Sequence, residues 1–482
     1  MENRLEPVIG LEIHIQLNTE TKLFCKCKNE YGATPNTHIC PVCLGYPGAL
    51  PVLNEEAVRL ALKVALALHA DIHKLSRFYR KNYFYPDLPK GYQITQYTES
   101  LVTGGYIEIE TSKGYKKIRL ERMNIEEEAA KSIHTDTGEV LLDYNRSGIP
   151  LLEMVTLPDM NSPEEARTFL EKLRLILRYL EVSECDMEKG ELRVDANISL
   201  RKPGEKLGVK VELKNLNSFK SVYDGLNYEI ERQKKILQGG GTVIQETRLW
   251  DEYKKETRTM RVKEEAHDYR YFPEPDLPPL VVQDTEIEEL KKTLPELPDE
   301  KLKRFVSQYN IGKDQARILS LNKNLADYFE KAAQVAEDKR LLANWINVEI
   351  LGYLNENNLG IQEFRIHAEE LGEFLNYVSR GKLSYNMAKD IFKKTLYNEE
   401  SLKHLLEEAL SSTISSQELE KIINKVLEEN QELVEKFRNG KTGVFGALIG
   451  KVMKETRGRA DARKVREILE SKIGSPKNLK FS

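Results

Sequence analysis

The chain has little of several things, and each scarcity closes off a class of protein. Of 482 residues only five are cysteine and two are tryptophan. That is too few thiols for a disulfide scaffold. No stretch of about 18 apolar residues occurs, so no membrane-spanning helix is expected. The first residues, MENRLEPVIGLEIHIQL, run straight into an alternating pattern. They lack the apolar core and cleavage site of a signal peptide, so a cytoplasmic location is expected. There is no GxGxxG and no Gly-x-Ser-x-Gly nucleophile motif. Asn439-Gly440-Lys441-Thr442 ends like a phosphate loop, but Glu435 stands where that loop needs glycine. Any nucleotide chemistry must therefore rest on something other than a glycine cradle.

Charge of one sign is also missing. Lys and Arg number 73 against 77 Asp and Glu, a net charge of −4. This excludes a globally basic nucleic-acid binder, but the tail is uneven. Residues 436–482 carry 13 Lys/Arg against 4 Asp/Glu, whereas residues 397–435 carry 3 against 10. The basic end suits a polyanion; uneven amphipathic helices are the plainer alternative.

What is present is a set of acidic and imidazole groups in strand-like contexts. Asn124 to Tyr144 contains three consecutive carboxylates, Glu126, Glu127 and Glu128. In Pro7–Leu17, Glu12 and His14 are two residues apart and share one strand face. Residues 187–217 read as two strands joined by a Pro-Gly turn. Arg193, Asp195, Asn197 and Ser199 alternate on one, and Lys210, Glu212 and Lys214 on the other. Brought together, these groups would offer hard oxygen ligands and one imidazole, a set suited to Mg²⁺. Solvent-exposed faces are the competing reading for each stretch.

The strongest local signal is Cys25-x-Cys27 followed by Cys40-x-x-Cys43, which holds four of the five cysteines. Gly32 and Pro35 let the intervening segment turn back. Four thiolates match a closed, structural zinc site; a redox pair is the alternative, and His38 could replace one thiol. Cys185 stands apart and reads as packing.

Elsewhere, Asn54 caps a helix expected over 55–69, and Ser162-Pro163-Glu164-Glu165 starts another. Ala166, Phe169, Leu170, Leu173, Ile176, Leu177 and Leu180 mark the second helix's apolar face. Phe78–Gln96 mixes tyrosines with Arg80, Lys81 and Lys90, which fits either base stacking or a rigid proline-shaped loop. LPELPD at 294–299 marks a boundary, beyond which the pattern is helical. The expected fold class is α+β. A mixed cradle-like domain built on antiparallel sheet spans 1–292 with the cysteine insert at 25–43. A helical domain follows over 293–405, and a small helical tail domain over 406–482.

Several longer stretches resemble one family, the B subunits of the aspartyl/glutamyl-tRNA(Asn/Gln) amidotransferases. They are Gly10-Leu-Glu-Ile-His14, the Cys25–Cys43 set, Cys43-Leu-Gly-Tyr-Pro-Gly48 and Arg80-Lys-Asn-Tyr-Phe-Tyr-Pro-Asp87. Asp143-Tyr-Asn-Arg146, Leu192–Ser199, Leu213–Ser218, Asp268–Asp276 and Gly443–Gly450 are similar too. The resemblance implies a heterotrimer, with a separate amidase and a small third chain, that acts on misacylated tRNA(Gln) or tRNA(Asn). It implies ATP- and Mg²⁺-dependent phosphorylation of the side-chain carboxylate of tRNA-bound Glu or Asp. Amidation would follow, with ammonia drawn from glutamine. Carried over by position, Glu12, His14 and Glu127 resemble Mg²⁺ ligands with Glu126 beside them. Asp195 and Glu212 resemble a second metal- or phosphate-side group, and Lys81 and Lys90 would line the site or a tunnel mouth. Lys441, Lys451, Lys454, Arg457, Arg459 and Arg463 would face tRNA. Asn124, Glu128 and Ala130 depart from the family's usual His, Asp and Gly at the acidic stretch, which puts a direct role for Glu128 in doubt. A non-catalytic, zinc-stabilised tRNA-binding scaffold is the rival reading.

Overall fold

In the computed structural model the described residues are 5–262, 268–398, 400–411, 416–456, 460 and 462–474. The chain divides into two compact units, 1–298 and 299–482.

The first unit is organised by the alternation in its first strand. In β1 (Glu6–Gln16), Ile9, Leu11, Ile13 and Ile15 are all at most 1% exposed, while Glu12, His14 and Gln16 point the other way. Such alternation belongs to a sheet with one face on a core and one face open. β1 is central in a ten-stranded sheet. On one side it pairs antiparallel with β5 (Pro150–Thr156), which pairs with β4 (Gly114–Glu127). On the other side it pairs with β6 (Leu192–Arg201), followed by β7 (Val211–Lys214), β8 (Glu246–Asp251) and β9 (Glu256–Val262). All these pairs are antiparallel except β7–β8, which is parallel. A parallel pair needs a crossover, supplied here by α3 (Phe219–Gln238).

Three helices cover the apolar side. α1 (Glu55–Ala67) is capped by Asn54, whose side chain accepts from the Glu56 N–H at 2.9 Å. It ends two residues short of expectation because His69 takes a left-handed conformation, φ 56°. α2 (Pro163–Tyr179) starts at the Ser162 cap, and Ala166, Phe169, Leu170, Leu173 and Leu177 along its predicted face are fully buried. α2 packs on α3, and α3 on β6. The tyrosine-rich stretch forms a hairpin of β2 (Phe78–Asn82) and β3 (Tyr92–Gln96), the latter lying against β4. Arg80 is pinned there by Glu274 at 2.7 and 2.8 Å, and lies 4.1 Å over the Tyr92 ring.

Helix Asp284–Thr293 packs on α1, and Leu294 and Leu297 lie against the same core, so this unit runs through residue 298. The second unit is helical. One of its apolar clusters gathers Phe305, Phe329, Trp345, Phe374 and Phe392, and includes Leu402 and Leu405 of helix Leu402–Ser411. Another gathers Ile423, Val426, Leu448, Val452, Val465 and Leu469. Among the described residues no helix is long and apolar enough to cross a membrane.

Phe169 is fully buried on α2. Phe169→Ala should cost about 3–5 kcal/mol, read as a lower midpoint in denaturant unfolding; a change under about 1 kcal/mol would show that α2 does not carry the core.

A candidate metal and phosphate site on the open sheet face

Strand register places the polar groups. Glu12 stands opposite Asp195 and His14 opposite Arg193 on β6. His14 stands opposite Glu153 on β5, and Glu153 opposite Asn124 on β4. Leu151 and Glu126 are opposite one another, as are Asn197 and Glu212. Residues directly opposed share a face. Glu12, His14, Glu126, Glu153, Asp195 and Glu212 therefore line one row across four strands and their neighbour, on the face away from α2 and α3.

At the centre, one ligand-capable atom each from Glu12, His14 and Glu153 lies within 4.8 Å of the others. The His14 Nε2 is 3.3 Å from Glu126 Oε1 and 3.9 Å from Glu12 Oε1. Burial disfavours the imidazolium, but the hydrogen bond to Glu126 and the charges of Glu126 and Glu12 outweigh it, so the His14 pKa is raised. Glu126 is the mirror case. Burial works to raise it, yet His14, Lys81 and the Thr95 hydroxyl hold it below the usual carboxylate value. Glu153 accepts from the Asn124 amide at 3.1 Å, and the charges of His14 and Arg122 act to lower it, but these are outweighed. Burial first, and then the charges of Glu126 and Glu12, push it up to about 7. Carboxylates crowded like this create a place where a cation is favoured.

The other carboxylates are already engaged. Glu127 follows Glu126 in the strand, and its carboxylate is taken up by other partners. Its Oε1 accepts from the Ile94 N–H at 2.9 Å and from Lys90 Nζ. The structure thus brings Glu126, and not Glu127, to His14. Glu128 is gripped by Arg146 at 3.0 Å and by Arg193. Asp195 binds Lys214 Nζ, which is also 3.3 Å from Glu212; Thr247 donates to Glu212 at 2.7 Å. Lys81 lies 4.8 Å from the Tyr269 ring centre and helps hold Glu126 ionised.

Two groups escaped sequence reasoning. Glu153 sits in PLLEMVT, which reads as a buried apolar strand; the one available signal was a lone carboxylate inside that run. Lys214 was placed on the right face, but its role between Asp195 and Glu212 needs the pairing of β6 with β7.

Cys25, Cys27, Cys40 and Cys43 have their sulfurs within 4.8 Å of one another. All four are free thiols. The hydrogen bond from Cys25 and the charge of Lys22 lower the Cys43 pKa to about 5, while burial raises Cys27 to about 11. Thiols that share protons this closely fit a tetrahedral zinc ion, which displaces those protons. Their donor set leaves no open position for substrate. His38 is not among the four; its Nε2 lies 3.8 Å from Glu30. Lys22 is fully buried, and its Nζ donates to the carbonyls of His38 at 2.8 Å and Tyr144 at 3.0 Å. The Ser147 hydroxyl donates to the Cys43 carbonyl at 3.1 Å. The cysteine lobe is thereby tied to the loop whose Arg146 holds Glu128.

In the tail, Lys441, Lys451, Lys454 and Arg463 are exposed, and Lys451 donates to Asn430 at 2.6 Å. Arg457 and Arg459 lie outside the described residues.

Cys40→Ser should lower bound zinc from about one ion per chain, by elemental analysis, and destabilise the lobe; unchanged zinc content would remove Cys40 from the site. A divalent cation at Glu12, His14 and Glu153 must displace the protons held by Glu153 and by His14, both of whose pKa values are raised. Its affinity should therefore fall as pH drops through about 7, where this carboxyl titrates. Titration calorimetry at pH 6 and 8 checks this, and equal affinities would contradict it.

The family model described as the GatB/GatE catalytic domain matches residues 7–288, and the GatB domain matches residues 327–473. The B subunit of the aspartyl/glutamyl-tRNA(Asn/Gln) amidotransferase from Persephonella marina is 49% identical over 468 residues, covering 96% of this chain and 98% of that protein. The protein of that name from Carboxydothermus hydrogenoformans is 47% identical over 474 residues, covering 97% and 98%. That from Thermotoga petrophila is 48% identical over 476 residues, covering 97% and 98%. The chain belongs to the family of B subunits of the aspartyl/glutamyl-tRNA(Asn/Gln) amidotransferases.

Proposed function

We propose that this protein phosphorylates the side-chain carboxylate of tRNA-bound Glu or Asp with ATP and then amidates it. It would do so in a heterotrimer with a separate amidase and a small third chain, acting on misacylated tRNA(Gln) or tRNA(Asn). The observation that carries the reading is the row of carboxylates around His14 on an open sheet face, bordered by Lys81, Lys90, Arg193 and Lys214.

A side-chain carboxylate is a poor electrophile because its leaving group would be oxide. Attack of one carboxylate oxygen on the γ-phosphorus of ATP expels ADP and gives an acyl phosphate. Ammonia then attacks the carbonyl carbon, phosphate leaves with the C–O electron pair, and the nitrogen loses a proton to become the amide. Glu12, His14 and Glu153 would hold Mg²⁺, with Glu126 orienting the imidazole. When bound, that ion supplies charge neutralisation on the transferring phosphoryl group. Glu127 holds Lys90 Nζ in place at the edge of the site, and Lys81 adds a second cation beside Glu126. Asp195 and Glu212 keep Lys214 charged, which suits it to phosphate oxygens. The four cysteines would hold structural zinc.

Work is divided along the chain in this reading. Residues 1–292 carry the chemistry, 293–405 form a helical connector, and 406–482 hold tRNA through Lys441, Lys451, Lys454, Arg457, Arg459 and Arg463. The complex would work in the cytoplasm.

Glu126→Gln and Glu127→Gln should each lower tRNA-dependent ADP formation by the assembled complex by about 10²-fold or more. Binding of tRNA should stay within about twofold. Turnover that survives both changes would move the chemistry elsewhere and leave a scaffold. Removing residues after 411 should weaken tRNA binding and flatten its dependence on salt; unchanged affinity would free the tail of that role.

A further inference from the structure

Glu246, Thr247 and Arg248 of β8 are all buried, and two of them are charged. Glu246 and Arg248 turn toward α3 and join a polar network there. The Arg248 guanidinium donates to the Thr257 hydroxyl and carbonyl at 2.7 Å each, and to Glu246 and the Thr259 hydroxyl at 2.8 Å. On α3, fully buried Glu229 accepts from Arg232 at 2.7 and 2.9 Å and from Gln233 at 2.9 Å. Arg232 also donates to Glu246 at 3.2 Å, which joins α3, β8 and β9 in one network. Two carboxylates balance two guanidinium groups. A slip of β8 by one residue would part them and leave charge buried and unpaired, which is strongly destabilising. β9 adds a bulge. Thr247 stands opposite Arg261 and Arg248 opposite Thr259, so Met260 is the extra residue. Bulges re-aim side chains beside functional sites.

The side chain aimed here is Thr247. It stands between the two charged residues in sequence, and therefore on the opposite, open face. It is fully buried, and its hydroxyl donates to Glu212 Oε2 at 2.7 Å across the parallel β7–β8 pair. The other oxygen of Glu212 is 3.3 Å from Lys214 Nζ, which also binds Asp195. We propose that Thr247 is a positioning residue: its hydroxyl fixes the Glu212 carboxylate, and through it Lys214, in the row, while the network behind β8 fixes Thr247. This rests on the reading of Asp195, Glu212 and Lys214 as phosphate-side groups. A lysine head rides on a flexible four-carbon stem, so holding it in one place takes carboxylates that are themselves held. The role belongs to the hydroxyl and not to the shape of the residue. Valine has nearly the same shape and suits a strand, but it would take this donor from a Glu212 oxygen, and a lost donor inside a protein is costly.

The test uses the assembled amidotransferase complex, with ATP and Mg²⁺ as the probe. Thr247→Val should raise the ATP Kd at least fivefold. Thr247→Ser keeps the hydroxyl and should stay within twofold of the unsubstituted complex. Glu212→Ala removes the acceptor and should raise the ATP Kd at least as much as Thr247→Val does. Adding Thr247→Val to Glu212→Ala should then change the Kd by less than twofold, because a residue that acts through Glu212 has nothing left to position. Should the valine chain fail to assemble, Thr247→Cys takes its place, since a thiol is only a weak donor. An ATP Kd unchanged by Thr247→Val overturns the proposal and makes Thr247 a space-filling strand residue. Equal losses from Thr247→Val with and without Glu212→Ala overturn it too, since Thr247 would then act by another route. If Glu212→Ala alone leaves the ATP Kd unchanged, the phosphate-side reading fails first, and the role of Thr247 falls with it.

Discussion

Residues 6–16 are hydrogen-bonded along both edges, to 150–156 on one side and 192–201 on the other. Strand side chains alternate strictly. A slip of one residue in either ladder would turn Glu12 and His14 into the core and put Ile13 and Ile15 in water. Apolar burial of about 1.5–3 kcal/mol for each of those isoleucines holds the register. The polar row is therefore placed by residues that take no part in it. α2 and α3 matter for the same reason, since they give the isoleucines something to bury against.

Electrostatics then sorts the carboxylates along the row. Removing carboxylates from water is costly unless each finds a partner. Glu126 has His14, Glu127 has Lys90, Glu128 has two guanidinium groups, and Asp195 and Glu212 share Lys214. Glu153 has only the neutral Asn124 amide as a hydrogen-bond donor, and burial with the charges of Glu126 and Glu12 raises its pKa. The unbalanced negative charge sits where Glu12, His14 and Glu153 converge. In the proposed function a small cation would complete this arrangement.

The cysteine lobe joins this design through geometry. Lys22 and Ser147 bind it to the 143–148 loop, and Arg146 carries that fixation to Glu128. A metal with a closed shell there can act on the row only by stiffening it. The Glu128 carboxylate is fully taken up by Arg146 and Arg193 and does not reach toward His14.

Much of this was legible in one dimension. Period-two alternation revealed β1, β6 and β7 and their polar faces. The cap at Ser162 and the 3.6-residue period revealed α2, and the spacing of four cysteines revealed a tetrahedral donor set. These signals are local, because backbone geometry repeats over two to four residues. Long motifs such as Gly10–His14 and Leu192–Ser199 carried the family. What the sequence could not decide was which polar face met which. Glu126 and Glu127 are adjacent and chemically alike, and only the pairing of residues 114–127 with 150–156 sends one to His14 and the other to Lys90. Glu153 looked like a stray charge in an apolar strand until His14 stood opposite it. Gly208 lies so close to Leu200 that a Cβ there would collide with the Leu200 carbonyl oxygen. Contacts of this kind join residues far apart in the chain, and their partners are chosen by register and packing, which no local pattern encodes.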